Sequence, residues 1–191
     1  MKSRLSIVDN LARVSSPSRT HVNEKAGYYQ GSRYLEFESR RLYSAFQPIY
    51  SIAHKRIVGL EALVRAIDEH GASISPVELF GKRQGEAVHN LDLTCQQVHL
   101  QNFHALDPPD AWLFLNVDPA TLSRCARYTT FLCDLLVEYG YTPNRVVIEI
   151  LESSIEDESE LEQTIGQYKD LGFLIAIDDF GAGHSNFERI W

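Results

Sequence analysis

The segment Leu174-Ile175-Ala176-Ile177-Asp178-Asp179-Phe180-Gly181-Ala182-Gly183 constrains this chain most: an apolar run stops at two adjacent carboxylates and a Gly-rich turn. A strand buried on both faces reads as a continuous aliphatic run, and in parallel sheets and barrels the C-terminal ends of such strands carry the chemistry. Two carboxylates side by side repel each other unless a divalent cation neutralises them. Three earlier apolar runs end in the same way. Ile57-Val58-Gly59-Leu60 leads to Glu61, Trp112-Leu113-Phe114-Leu115 to Asn116, and Val146-Val147-Ile148 to Glu149, with Glu152 three residues on. Four strand ends therefore offer oxygen donors.

Helical patterns separate these runs. Tyr34 to Arg41 reads as a charged piece of helical character leading to a first strand from Tyr43 to Tyr50, and a second strand covers Ile57 to Leu63 after a turn at His54-Lys55. Pro76 to Phe80 begins a short helix. From Glu86 to Leu106, Val88, Leu91, Cys95, Val98 and Ala105 fall near a 3.6-residue period, and Pro108-Pro109 ends that helix. A third strand at Trp112 to Val117 precedes a helix around Thr130 to Tyr139 that Gly140 closes, and a fourth strand spans Arg145 to Ile150. The next helix shows a capping box at Ser159 and Glu162, Leu161, Ile165 and Tyr168 on its apolar face, and Gly172 just beyond. Strand and helix thus alternate, which predicts an α/β fold with a largely parallel sheet. Residues 1–33, with Ser15-Ser16-Pro17-Ser18 and Gly27, show no sustained periodicity and read as a flexible lead segment, leaving 34–191 as the domain.

Five motifs in order resemble one family. Glu61-Ala62-Leu63 followed by Arg65 looks like the signature of the EAL domain, the bacterial cyclic di-GMP phosphodiesterase module. Phe46-Gln47-Pro48-Ile49 resembles its opening strand, Leu115-Asn116-Val117 its Asn-bearing strand, and Glu149-Ile150-Leu151-Glu152 its paired-Glu motif. Asp178-Asp179-Phe180-Gly181-Ala182-Gly183-His184-Ser185 resembles the loop after its fifth strand. The resemblance covers about residues 43 to 190. It implies a TIM-barrel-like fold whose first strand runs against the others, and metal-dependent hydrolysis of cyclic di-GMP to linear pGpG.

It also implies roles residue by residue. Glu61, Asn116, Glu149 and Asp178 would ligate one metal, and Asp178 with Asp179 a second. Glu152 would hold the loop after the fifth strand, which Gly181 and Gly183 let turn tightly. Gln47, Leu63 and Arg65 match substrate contacts, Arg65 pairing with a phosphate oxygen. An all-oxygen set of four acids and one amide suits two Mg²⁺ or Mn²⁺ ions, which balance the charge and activate water against a phosphodiester. A homodimer near the loop after the fifth strand is a further family expectation.

Taken singly, each residue has a plainer reading. Glu61 alone is a solvated strand-end carboxylate, Arg65 a surface ion-pairing residue and Gln47 an edge residue. Asn116 could cap a helix starting at Pro119. Glu152, with Glu156, Asp157 and Glu158, could form the negative first turn of a helix, and His184 could be structural. Asp-Phe-Gly at 179–181 also occurs in protein kinases, but no Gly-rich phosphate loop or catalytic-loop motif accompanies it.

Composition narrows the classes. A net charge of −8 argues against a broad surface for nucleic-acid polymers. No apolar stretch reaches the length of a membrane span and no signal-peptide core is present, so the expected location is cytoplasmic. Cys95, Cys125 and Cys133 lack metal-ligand spacing and read as free, mostly buried thiols. An eight-stranded barrel takes about 250 residues, whereas Tyr43 to Trp191 supplies about 150, room for five strands. The expectation is a C-terminally truncated domain with a nearly complete set of metal ligands. The alternative is a catalytically inactive remnant that binds a ligand or a protein partner.

Overall fold

The computed structural model describes residues 26–81, 83–117, 126–151 and 158–178. Strands β1 (Ala26–Tyr29), β2 (Ser32–Phe37), β3 (Arg40–Ser51), β4 (Arg56–Ile67) and β5 (Ser73–Ile74) come first, followed by helices α1 (Pro76–Phe80) and α2 (Glu86–Leu106). Then β6 (Trp112–Asn116), α3 (Ala126–Glu138), a 3₁₀ turn at Pro143–Arg145, β7 (Val146–Leu151), α4 (Glu158–Asp170) and β8 (Leu174–Asp178) alternate. The sheet runs β1-β2-β3-β4-β6-β7-β8, with β5 on β4.

The first four strands pair antiparallel, and β4, β6, β7 and β8 are mutually parallel. The expected reversal of the strand carrying Gln47 is therefore present as β3 against β4. Parallel neighbours in chain order put their helices on one face of the sheet when the crossovers share one hand, which is the barrel topology rather than the doubly wound one. Among the described residues the sheet does not close on itself.

The core lies between sheet and helices. Ala62, Leu113, Leu115, Val146, Ile148 and Ile150 project from the strands onto Leu100, Phe103, Leu132, Leu136 and Tyr168. Burying each large apolar side chain there contributes about 1.5–3 kcal/mol against exposure. Helix α2 begins and ends where its sequence predicted. Asp107 takes the left-handed conformation at its C-terminus, with φ 43, and Pro108 follows. Ser75 caps α1, accepting a hydrogen bond from the Glu78 N–H at 3.2 Å, with Pro76 in the first turn.

Four local expectations change. Tyr34 to Arg41 is not helical: it forms β2, a turn and the start of β3. Its charges mask a two-residue period that puts Leu35 and Leu42 on the helix side at 2% and 0% exposure. Both hairpin turns have positive φ at two successive residues, Gln30-Gly31 and Glu38-Ser39, so neither carries the familiar Asn-Gly signal. Residues 26–33, placed in the lead segment, belong to this hairpin. Ser159 lies inside the first turn of α4 rather than before it. The Leu174–Ile177 run is not covered on both faces, since β8 has only β7 beside it among the described residues and Ile177 is 48% exposed.

Cys95 and Cys133 are free and buried, as expected. Glu152, Asp179, Gly181, Gly183 and His184 lie outside the described residues, as do residues 1–25, Pro119 and Cys125; of Asp178 the backbone alone is described.

Candidate active site

Strand register decides which side chains meet. Residues opposite each other share a face, and the face alternates along each strand. Gln47 is opposite Glu61, Glu61 opposite Phe114, Asn116 opposite Glu149, Glu149 opposite Ala176, and Leu151 opposite Asp178. Ala62, Leu115 and Ile148 face the helices, so Gln47, Glu61, Asn116, Glu149 and Asp178 occupy the helix-free face. Leu63 and Arg65 follow Glu61 on that face by the same alternation. Every sequence-predicted site residue whose strand is described thus lies on one surface.

Glu61 and Asn116 touch. The Asn116 amide donates from Nδ2 to Glu61 Oε1 at 2.9 Å, joining the middle of β4 to the end of β6, so Glu61 does not close its strand as the sequence suggested. Glu149, 9% exposed, stands in register with Asn116, and its carbonyl accepts the Val117 N–H at 3.1 Å. Among the described residues, no three His, Cys, Asp or Glu side chains converge on one point. Two carboxylates and an amide are what these residues contribute. Turning the Asn116 amide by half a rotation presents its carbonyl oxygen, converting the internal hydrogen bond into a pair of oxygen donors. Such a set fits a hard divalent cation.

Arg65 is half-buried and donates from Nη1 to the Val64 carbonyl at 2.9 Å, which leaves other guanidinium N–H groups for a ligand. Gln47 is exposed on β3. Pro48 beside it needs no hydrogen-bonding partner, because β2 covers only Arg40–Tyr43 of β3.

Two supports escaped the sequence reading. The Phe114 ring packs over Gly59, where an added Cβ would lie 2.4 Å from its Cε2, forming a floor beside Glu61. An isolated Gly inside a strand was the available signal for such a close approach. Gln96, 1% exposed on α2, donates from Nε2 to the Asn116 carbonyl and to Asp92 Oδ1, each at 3.2 Å. No motif marks it. Thiol chemistry is not available from the buried cysteines. Burial, then Asp92, pushes the Cys95 thiol well up; burial, then Asp134, pushes Cys133 to about 11.

Residues 32–190 match the family described as the EAL domain. The chain is 28% identical over 140 residues to the blue light- and temperature-regulated antirepressor BluF of Escherichia coli, covering 73% of this chain and 34% of BluF. It is 26% identical over 156 residues to the probable cyclic di-GMP phosphodiesterase PdeB of the same organism, covering 80% and 30%. Its fold superimposes on Klebsiella pneumoniae BlrP1 in a manganese and cyclic di-GMP complex with a TM-score of 0.68 and 26% identity, covering 86% of this chain and 39% of that one. The corresponding calcium complex gives 0.67 and 28%, covering 78% and 37%. The chain spans about a third of the length of these two curated relatives. No helix among the described residues is long and apolar enough to cross a membrane.

Proposed function

This chain belongs to the EAL domain family, and we propose that it binds cyclic di-GMP on the helix-free face and hydrolyses it to linear pGpG with divalent metal. The observation that carries the reading is the Glu61–Asn116 contact with Glu149 in register beside it. Glu61, Asn116, Glu149 and Asp178 would hold one ion, and Asp178 with Asp179 a second, Mg²⁺ or Mn²⁺. When bound, the ions supply charge neutralisation and activation of water toward the phosphodiester.

The chain's own residues do the rest. Arg65 fixes a phosphate oxygen, Gln47 and Leu63 bound the ligand on β3 and β4, and Glu152 holds the loop after β8 in shape. Gln96 and the Val117 N–H fix the backbone at the end of β6, so that Asn116 can face Glu61. The reading places the chain in the cytoplasm, in second-messenger signalling.

A second reading comes from the antirepressor among the relatives: the domain binds cyclic di-GMP without turnover and acts on a protein partner. One experiment separates the two. Cyclic di-GMP is incubated with the chain and Mn²⁺ or Mg²⁺, with EDTA and Glu61→Ala as controls, while binding is followed in parallel. Turnover that both controls abolish is expected. Binding without turnover selects the second reading, and a folded chain that neither binds nor hydrolyses refutes both.

A further inference from the structure

The helix-free face continues past Glu61 onto the N-terminal hairpin, and the proposed reaction uses none of that extension. Gly27, Tyr34, Tyr43 and Arg65 form one row across β1, β2, β3 and β4, each directly opposite the next. Arg41 lies one same-face position beyond Tyr43, opposite Glu36 on one side and Ile67 on the other. All of these residues share the face of Glu61 by the two-residue alternation.

Their side chains are stacked in order. The Tyr34 ring lies against bare Gly27, where an added Cβ would be 2.6 Å from its Oη and 2.7 Å from its Cε1. The Arg41 guanidinium stands over that ring, 5.5 Å from its centroid. Tyr29 and Tyr43 pack beside it with ring centroids 5.3 Å apart. Arg41 faces Glu36 across the strand pair, yet among the described residues it forms no ion pair, and neither does Arg65. The guanidinium has taken the aromatic face instead of the adjacent carboxylate.

A guanidinium held by its flat face keeps its in-plane N–H donors available, in a fork that matches two acceptors side by side. The Hoogsteen edge of guanine, O6 with N7, is such a pair, and Arg is its commonest partner. Strand geometry separates the Arg41 and Arg65 backbones by about 8 Å, one strand over and two residues along. That spacing suits a nucleotide with its phosphate on one arginine and its base on the other. We infer that Arg41, seated on Tyr34 and Gly27, reads the O6/N7 edge of a guanine of the ligand, with Arg65 on the phosphate and Tyr43 beside the base. The inference rests on the cyclic di-GMP reading and gives that site a base-specific contact.

Calorimetric titration of cyclic di-GMP into the chain with Ca²⁺ tests it, using wild type, Arg41→Ala, Arg41→Lys and Gly27→Val. Gly27→Val displaces Tyr34 while leaving Arg41 in place. At least tenfold weaker binding is expected for all three variants, with their thermal midpoints showing that they are folded. Arg41→Lys keeps the charge and loses the planar fork, so wild-type affinity in that variant would identify a simple phosphate contact and overturn base reading. Arg41→Ala within twofold of wild type would overturn the inference while leaving the proposed function intact. Wild type that does not bind at all would remove both.

Discussion

Gly59→Ala tests whether the floor of the site is as tight as its geometry requires. An alanine Cβ there would sit 2.4 Å and 2.9 Å from Cε2 and Cδ2 of Phe114 and 3.0 Å from the Trp112 carbonyl oxygen. Carbon pairs are at rest near 3.5–4.0 Å, so the ring must withdraw by about 1 Å or more. The Trp112 carbonyl cannot follow, because β6 is fixed in register on β4 from Gly59 to Ala62. Overpacking of this kind costs about 1–3 kcal/mol, against which the stiffer alanine backbone returns about 0.5–1 kcal/mol. The net expectation is a loss of about 1–2 kcal/mol, or roughly 2–8 °C in thermal midpoint for a domain of this size. Urea unfolding of wild type, Gly59→Ala, Phe114→Leu and the double variant measures it as a cycle. If the ring is the obstacle, Phe114→Leu absorbs the new methyl group and the two losses are not additive. Wild-type stability in Gly59→Ala, or strict additivity in the double variant, would refute the close packing of Phe114 on Gly59.

Two further expectations concern the wall behind the hairpin. Asn102 accepts the Arg33 N–H at 2.8 Å and donates to the Arg33 carbonyl at 2.9 Å, standing in for a neighbouring strand, so Asn102→Ala should cost about 1–3 kcal/mol and speed hydrogen exchange at the Arg33 amide; unchanged exchange there would show that α2 does not hold the hairpin. Burial lowers the His99 imidazole from 6.5 to about 3 while Nδ1 stays 2.9 Å from Ser44 Oγ. The folded chain therefore keeps His99 neutral where the unfolded chain protonates it. Stability from this source is complete above pH 6.5 and falls as pH drops toward 3, by about 1.4 kcal/mol per unit as an upper figure. Urea midpoints at pH 7.5 and 5.5 should separate for wild type and draw together in His99→Gln, and an equal separation in both would acquit His99.

The order of strands and helices after β3 was legible because apolar period and punctuation agree there. Pro108-Pro109, Gly140 and Gly172 mark ends that buried runs such as Val146–Ile150 already imply. The placement of Glu61, Asn116 and Glu149 on one surface was legible because each interrupts an apolar run, although only Asn116 closes its strand and Glu61 stands mid-way along β4. The hairpin was not legible. Its period of two is written in Tyr, Arg and Glu rather than in aliphatic residues, because one face meets α2 while the other is half-open. Its turns use Gln-Gly and Glu-Ser, which tolerate positive φ without advertising it. The contact of Gln96 could not be read at all, since it depends on which residue of α2 passes the end of β6, and Gly59 signals a close approach without naming the ring that makes it.

If cyclic di-GMP binds as proposed, charge requires both halves of this face for the one ligand. A phosphodiester brought beside Glu61 and Glu149 meets like charges, and two unit charges 4 Å apart cost about 4 kcal/mol at an effective dielectric constant of 20. Two such contacts exceed what one half-buried guanidinium returns. Arg65 alone therefore cannot seat the anion next to the carboxylates. A divalent ion held by Glu61, Asn116 and Glu149 would cancel those two charges, and the arginines on β3 and β4 would then supply a net positive potential instead of opposing a deficit. Removal of metal should accordingly weaken ligand binding as well as abolish turnover. Loss of turnover with affinity untouched would mean that the ligand is held by the hairpin and Arg65 away from the acids.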